Sequence, residues 1–238
     1  MLAALYAKDK LVALYKFIEK EFFESFFASG SLRIGTIYNF KDTVEHGLSR
    51  GDQSEGEHHL IRGIDGTVAI SKDKHEPIIS EVFKMEGEGQ AHISNLSIIV
   101  PRRCEDGFVF CTSYIYNEAL FRRWHKENNV DSCYEITNPR AFFGAISRAI
   151  ENSANFFANS NATYTDKNID YQSAHANSHP AFTKVRDAYG WQYENRSVWG
   201  ARGPCGPLKP WTINVPEAIQ FCKPLAFLEN GGVSYVRV

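Results

Sequence analysis

The sequence predicts a single α+β domain, and three observations carry that prediction. The chain opens as strand, helix, strand; its strongest strand, residues 108–116 (FVFCTSYIY), lies mid-chain; and neither an internal repeat nor a domain boundary divides the 238 residues. A 43% hydrophobic share with 13% aromatics supplies a core, while a net charge of -2 leaves nucleic-acid affinity to a local patch. Five cysteines without a CxxC pair indicate a reduced, intracellular chain. Lys8, Asp9 and Lys10 interrupt the first apolar run, which excludes a signal peptide, and no stretch reaches the ~20 apolar residues of a membrane span. The expectation is a soluble, cytoplasmic protein without a membrane partner.

Taken in order, residues 11–17 (LVALYKF) read as a strand whose one charge, Lys16, has the ordinary fate of a snorkelling side chain open to it. Residues 19–29 place Phe22, Phe23, Phe26 and Phe27 at helical spacing, Gly30 stops that helix, and 31–37 is a second strand. Residues 38–57 are polar, hold Gly47, Gly51 and Gly56, and read as a long loop. Short strands follow at 67–70, 78–83 and 93–100, as a meander or hairpin insertion. Thr112 and Ser113 are the polar exceptions in the strand 108–116; small hydroxyls there either admit a ligand close to the backbone or satisfy core neighbours.

Asn117 caps a helix at 118–126, 132–136 is a strand, and Pro139 opens a helix running to about Phe157. Residues 158–180, rich in Asn, Ser, Ala and Thr, read as a loop or lid, and 182–189 as helix. Residues 191–199 (WQYENRSVW) alternate as a strand does, which puts Gln192 and Glu194 on one face. A carboxylate beside an amide can grip a sugar diol; an edge strand with polar residues toward water has the same pattern. A Gly/Pro turn at 200–210 precedes candidate strands at 211–214, 218–223 and 233–238.

The segments LYKF, CTSY and WQYE, in that order and spacing, resemble the three-part pattern of the ADP-ribosyltransferase superfamily. The chain is also similar to uncharacterised bacterial proteins with Tyr-Lys-Phe/Tyr near the start and Trp-x-Tyr-Glu-x-x-Arg near the end. The resemblance implies a split β-sheet core with flanking helices and NAD as co-substrate, with no metal. It makes Glu194 the catalytic glutamate and Gln192 the residue that orients the acceptor. It places NAD against Tyr15, Lys16, Thr112 and Ser113, with Tyr114 or Phe40 stacking on the nicotinamide. The family carries Arg or His where this chain has Tyr15-Lys16, and often Ser where it has Cys111; Arg33 or Arg196 could supply the guanidinium.

The implied acceptor is RNA, DNA or protein. Arg122, Arg123 and Trp124 join positive charge to an aromatic and could hold phosphate and stack a base, although a solvated helix face explains the same run. Family members include toxins of toxin-antitoxin and phage-defence systems, so an antitoxin is an implied partner. Two other readings stand beside the transferase. One is a non-catalytic nucleotide- or nucleic-acid-binding relative of the same fold. The other is a metal-dependent hydrolase using Asp42, Glu45, Asp52, Glu55 and His58.

Overall fold

The computed structural model describes residues 13–203 and 207–236. Leu11 and Val12 of the first expected strand, part of the 200–210 turn and the last two residues lie outside them. Strands β1 (Leu14–Ile18) and β2 (Ser31–Thr36) flank helix α1 (Lys20–Ser29). Gly30 ends that helix with φ 74, a left-handed conformation open to glycine, and donates its N–H to Phe26 O at 2.7 Å. The body of the protein continues with β5 (Gly107–Ser113), α4 (Glu118–Asn128), β6 (Ser132–Ile136) and α5 (Pro139–Ala149), after a long insertion. Asn117 and Asn138 cap α4 and α5, accepting from the N–H groups of Leu120 and Ala141.

The insertion differs from its reading as a loop followed by short strands. Residues 43–50 form helix α2 (Thr43–Arg50), because Asp42 accepts from the N–H groups of Val44 and Glu45; Gly47, at φ 68, kinks it. Strands β3 (Glu57–Ser71) and β4 (Gln90–Arg103) then make one long hairpin with a small core of its own, including Leu60, Ile64, Ile78 and Ile98. The segment expected as a strand at 78–83 is helix α3 (Pro77–Val82). Pro77 presets its first turn, and Ile78 and Ile79, buried side by side, imitate an apolar strand in sequence.

The helix from Pro139 stops at Ala149 rather than Phe157. Ala154 onward is β7 (Ala154–Asn161), followed by β8 (Thr163–Thr165) and β9 (Asn168–Asp170), so much of the expected lid is sheet. Residues 182–189 are β10 (Thr183–Val185) and a single turn, α6 (Arg186–Tyr189). Strand β11 (Glu194–Ala201) begins three residues later than expected, since Gly190–Gln192 is a 3-10 turn. β12 (Trp211–Asn214) is where the sequence put it. The strand expected at 218–223 divides into α7 (Pro216–Ile219) and the start of β13 (Cys222–Glu229), which pairs with β14 (Gly232–Tyr235).

Nine of the described strands build a large antiparallel sheet with a fork in it, while β8 pairs with β10 and β3 with β4 and β9 in two small sheets. On one side of β5, β11 runs its full length, from Glu194 opposite Ser113 to Gly200 opposite Gly107, and β7 lies outside β11. On the other side β5 has two partners: β2 near its start, with β12 beyond, and β1 at its end through one pair, Tyr15 opposite Ser113. From β1 the second branch runs through β6 and β13 to β14. Helices α1 and α5 bury Phe26, Phe142 and Ile146 on one face, with Phe26 stacked on Tyr134 at 4.9 Å. α4 covers Phe17, Cys133 and Ala226 on the other with Leu120 and Phe121. At roughly 25 cal/mol per Å² of apolar area removed from water, such side chains each contribute about 1.5–3 kcal/mol.

Candidate functional site

Three segments singled out in the sequence meet in one row. Tyr15 on β1, Ser113 on β5 and Glu194 on β11 are direct cross-strand neighbours, so the ends of LYKF, CTSY and WQYE share one level of the sheet. Chain distance hides this, for Tyr15 and Glu194 sit near opposite ends of the sequence. Lys16 fills the fork itself. Between its pairs with β2 and with β1, β5 leaves the carbonyl of Cys111 without a neighbouring strand; Lys16 Nζ donates to it at 2.9 Å and lies over the Phe110 ring at 4.5 Å. Burial lowers the pKa of Lys16 below the ordinary lysine value, and Arg50 pushes the same way.

Glu194 is 5% exposed and belongs to a charge cluster under the sheet. Its Oε1 accepts from Arg196 Nε at 2.9 Å, and its Oε2 pairs with Lys184 Nζ at 3.2 Å. Arg196 turns its other edge to Glu55, Nη1 to Oε1 at 2.6 Å and Nη2 to Oε2 at 2.8 Å, and donates from Nη1 to Ala181 O at 2.7 Å. Lys184 also approaches Glu55 at 3.8 Å, and Lys167 lies 3.7 Å from Asp52. Three cations thus face three carboxylates, and all six side chains are buried. Desolvation alone would raise the pKa of Glu194, but Arg196 and Lys184 outweigh it and hold the carboxyl down to about 2. The same balance lowers Glu55, with Arg196 the chief stabiliser of its charge.

The other expected site residues have definite places. Gln192 and Glu194 do not share a strand face: Gln192 ends the 3-10 turn, Tyr193 is left-handed at φ 48, and β11 begins after it. The Gln192 amide donates to Ser49 O at 2.5 Å. Thr112 donates to Asn195 O at 3.3 Å, and the Ser113 hydroxyl lies within hydrogen-bond range of the Gln192, Tyr193 and Ile115 carbonyls. Tyr114 meets exposed Tyr193 edge to face at 5.8 Å. Phe40 packs on Gly35, where an added Cβ would come within 2.9 Å of the ring, and against His46 at 4.8 Å.

The basic run on α4 is largely spoken for. Arg122 pairs with Glu118 at 2.7 Å and donates to Gly231 O at 2.7 Å. Arg123 lies over Trp191 at 4.2 Å, and Trp124 contacts Trp191 at 4.8 Å and stacks near Phe17 at 6.2 Å. The five residues of the metal reading part company too. Asp42 caps α2, Glu45 binds Arg33 at 2.9 Å, Asp52 and Glu55 enter the charge cluster, and His58 Nδ1 lies 3.4 Å from Thr183 Oγ1.

Lys167 and Lys184 escaped sequence reasoning, since a lysine in a polar run or a short strand carries no mark of burial. Arg196 had a visible signal: it stands two after Glu194, on the same strand face. Two cavities of about 400 and 350 Å³ are formed elsewhere, one beside Asp166, Asp170 and Arg186, the other beside Ser153 and Trp211, and Glu194 lines neither. Among the described residues no helix is long and apolar enough to cross a membrane. No protein-family model, curated protein or solved structure matches the chain.

Proposed function

We propose that this protein is an NAD-dependent ADP-ribosyltransferase with a split-sheet core, in which Glu194 is the catalytic carboxylate. The observation that carries the reading is the row Tyr15, Ser113, Glu194 on three adjacent strands, because it draws three distant motifs to one place at the mouth of a fork. Glu194 supports it: Arg196 holds its Oε1, while its Oε2, ion-paired with Lys184 at 3.2 Å, keeps a lone pair for a hydroxyl donor.

In the reaction the bond between ribose C1′ and the nicotinamide nitrogen breaks, its electron pair leaving with nicotinamide. The acceptor's nucleophile attacks C1′ and loses its proton. Positive charge grows on the ribose as in glycoside hydrolysis, and a carboxylate kept ionised by Arg196 and Lys184 stabilises it while Oε2 accepts from the 2′-hydroxyl. Lys184 Nζ faces Glu194 Oε2 at 3.2 Å, so ribose reaches that oxygen when the lysine side chain swings aside. The exposed Tyr193 and neighbouring Tyr114 stand beside the row as aromatic contacts for the nicotinamide ring. The acceptor is a macromolecule.

A second reading has its own observation. The carboxylate is engaged by two cations and lines neither of the two cavities, as in a relative that keeps the fold and binds without turnover. Labelled NAD, incubated with cell lysate and either the wild type or Glu194→Gln, separates them. The transferase predicts label in a fraction removed by only one of protease, RNase or DNase, and none with the variant at equal folded concentration. Intact NAD and no label with the wild type would refute it and leave the binding module.

A further inference from the structure

Four of the five N–H groups of the Arg196 guanidinium have partners. One nitrogen holds Glu194, the other two grip both oxygens of Glu55, and the Ala181 carbonyl takes a further N–H. A planar fork used in this way has one orientation. Glu55 is fixed in turn: it is 0% exposed, and the N–H of Gly56 donates to its Oε1 at 3.2 Å. Gly56 stands at φ 71 with Ile37 and Cys104 packed where a Cβ would be, so the turn that presents Glu55 has little room to shift.

We propose that Arg196 is a positioning residue for Glu194 and that Glu55 is the anchor that aims it. Oε1 is thereby fixed and Oε2 is the oxygen turned to substrate. The proposal rests on the transferase reading for its catalytic consequence, but the positioning itself can be measured without NAD. The charged and titratable groups that face Glu194 from the elements around it are Lys16 on β1, Cys111 on β5, Tyr164 on β8, Lys184 on β10, Arg196 on β11 itself and Glu55 from the turn. Tyr164 supports the same arrangement through the backbone, its hydroxyl accepting from the Glu194 N–H at 2.7 Å.

The decisive variant is the double substitution Glu55→Gln with Arg196→Gln. It removes one charge of each sign, leaves Asp52 and Glu194 balanced by Lys167 and Lys184, and avoids stranding a buried ion. Per folded molecule, kcat for NAD cleavage should fall about 100-fold, as for a misplaced reacting group, with KM within about twofold. The acid limb of the pH profile should move up by about 1–3 units, because removing a cation beside a carboxylate raises its pKa. Carbon-13 titration of labelled glutamate carboxyls, with Glu194→Gln for assignment, should show the same upward shift in Glu194. Arg196→Lys, which keeps the charge and loses the fork, should restore most of the acid limb but not kcat.

Unchanged kcat and acid limb per folded molecule would overturn the proposal and leave Arg196 a purely structural residue. If the wild type cleaves no NAD, the transferase reading falls alone; the carbon-13 titration then decides, and an unmoved Glu194 pKa in the double variant overturns the positioning. Should the double variant fail to fold, Arg196→Lys carries the same test, with wild-type kcat as the overturning result.

Discussion

Two charge-rich regions of this protein do opposite things with similar residues. On α4, Arg122 and Glu118 form an ion pair with both side chains about half exposed, 46% and 47%. Under β11, Arg196 and Glu55 form one with 2% and 0%. In water the first pair gains little, because solvent already screens and solvates both charges. The second pair has been stripped of water and is compensated by its two-pronged geometry and by the bonds from Arg196 to Glu194 and to the Ala181 carbonyl. The lesson is that a charge run visible in sequence, such as FRRWHK, marks a place where charge is tolerated. The charges with consequences are those scattered through the chain as single letters: Glu55, Lys167, Lys184, Arg196.

The sharpest way to break the comparison is to remove one partner from each pair. Glu55→Leu leaves Arg196 and Lys184 with Glu194 as their one shared carboxylate, and should lower the unfolding free energy by about 3–5 kcal/mol in urea denaturation. A loss below 1 kcal/mol would mean that water reaches the cluster and that it behaves like the α4 surface.

A pH titration of stability gives a somewhat smaller effect from the same buried region. His58 is 2% exposed, and burial, with Lys167 and Arg102 adding to it, lowers its pKa to about 4. The folded value lies below the unfolded value of about 6.5, so the unfolded state binds the proton first and stability falls as pH drops from 6.5 toward 4. The slope approaches 1.4 kcal/mol per unit, to a total of about 3 kcal/mol. In urea melts His58→Gln should flatten that window; an unaltered pH dependence would show that His58 is accessible to protons in the folded state. The smallest effect belongs to the surface: Arg122→Ala should change stability by less than about 1 kcal/mol, and a larger loss would show that its bond to Gly231 O ties β14 to the body.

Much of the architecture was legible because it rests on local signals. The phenylalanine spacing of residues 22–27 with Gly30 behind it, the caps at Asn117 and Asn138, and the apolar run of β5 each specify their element within a few residues. Where the reading failed, local signals pointed two ways. Ile78 and Ile79 suit a strand or a short buried helix equally, and only Pro77 tips the balance. Asp42 and Glu45 carry the spacing of a helix start, but the glycines around them suggested a loop. Phe156 and Phe157 look like the end of an amphipathic helix and instead lie on an edge strand held by β11.

The site was half legible for the same reason. Motif order brought Tyr15, Ser113 and Glu194 to notice, but the pairing read from alternation, Gln192 with Glu194, is broken by a left-handed Tyr193; Arg196, two residues further on, is the one that shares the face of Glu194. Glu55 reaches Arg196 across 141 positions of sequence, and no periodicity within one segment announces such a partner.

Gly30 sets a timetable as well as a turn. An added Cβ there would lie 2.4 Å from the backbone of Val215 and Pro216, and the Val215 N–H donates to the Gly30 carbonyl at 2.8 Å. The corner made by the first helix therefore has its packing partner near the other end of the chain. During synthesis at about 5–20 residues per second, that corner waits roughly 10–40 s for Val215 to emerge. Through that interval α1 holds Phe23 and Phe26 with an incomplete core, and the nascent chain depends on whatever shields those rings in the cell until its last strands arrive.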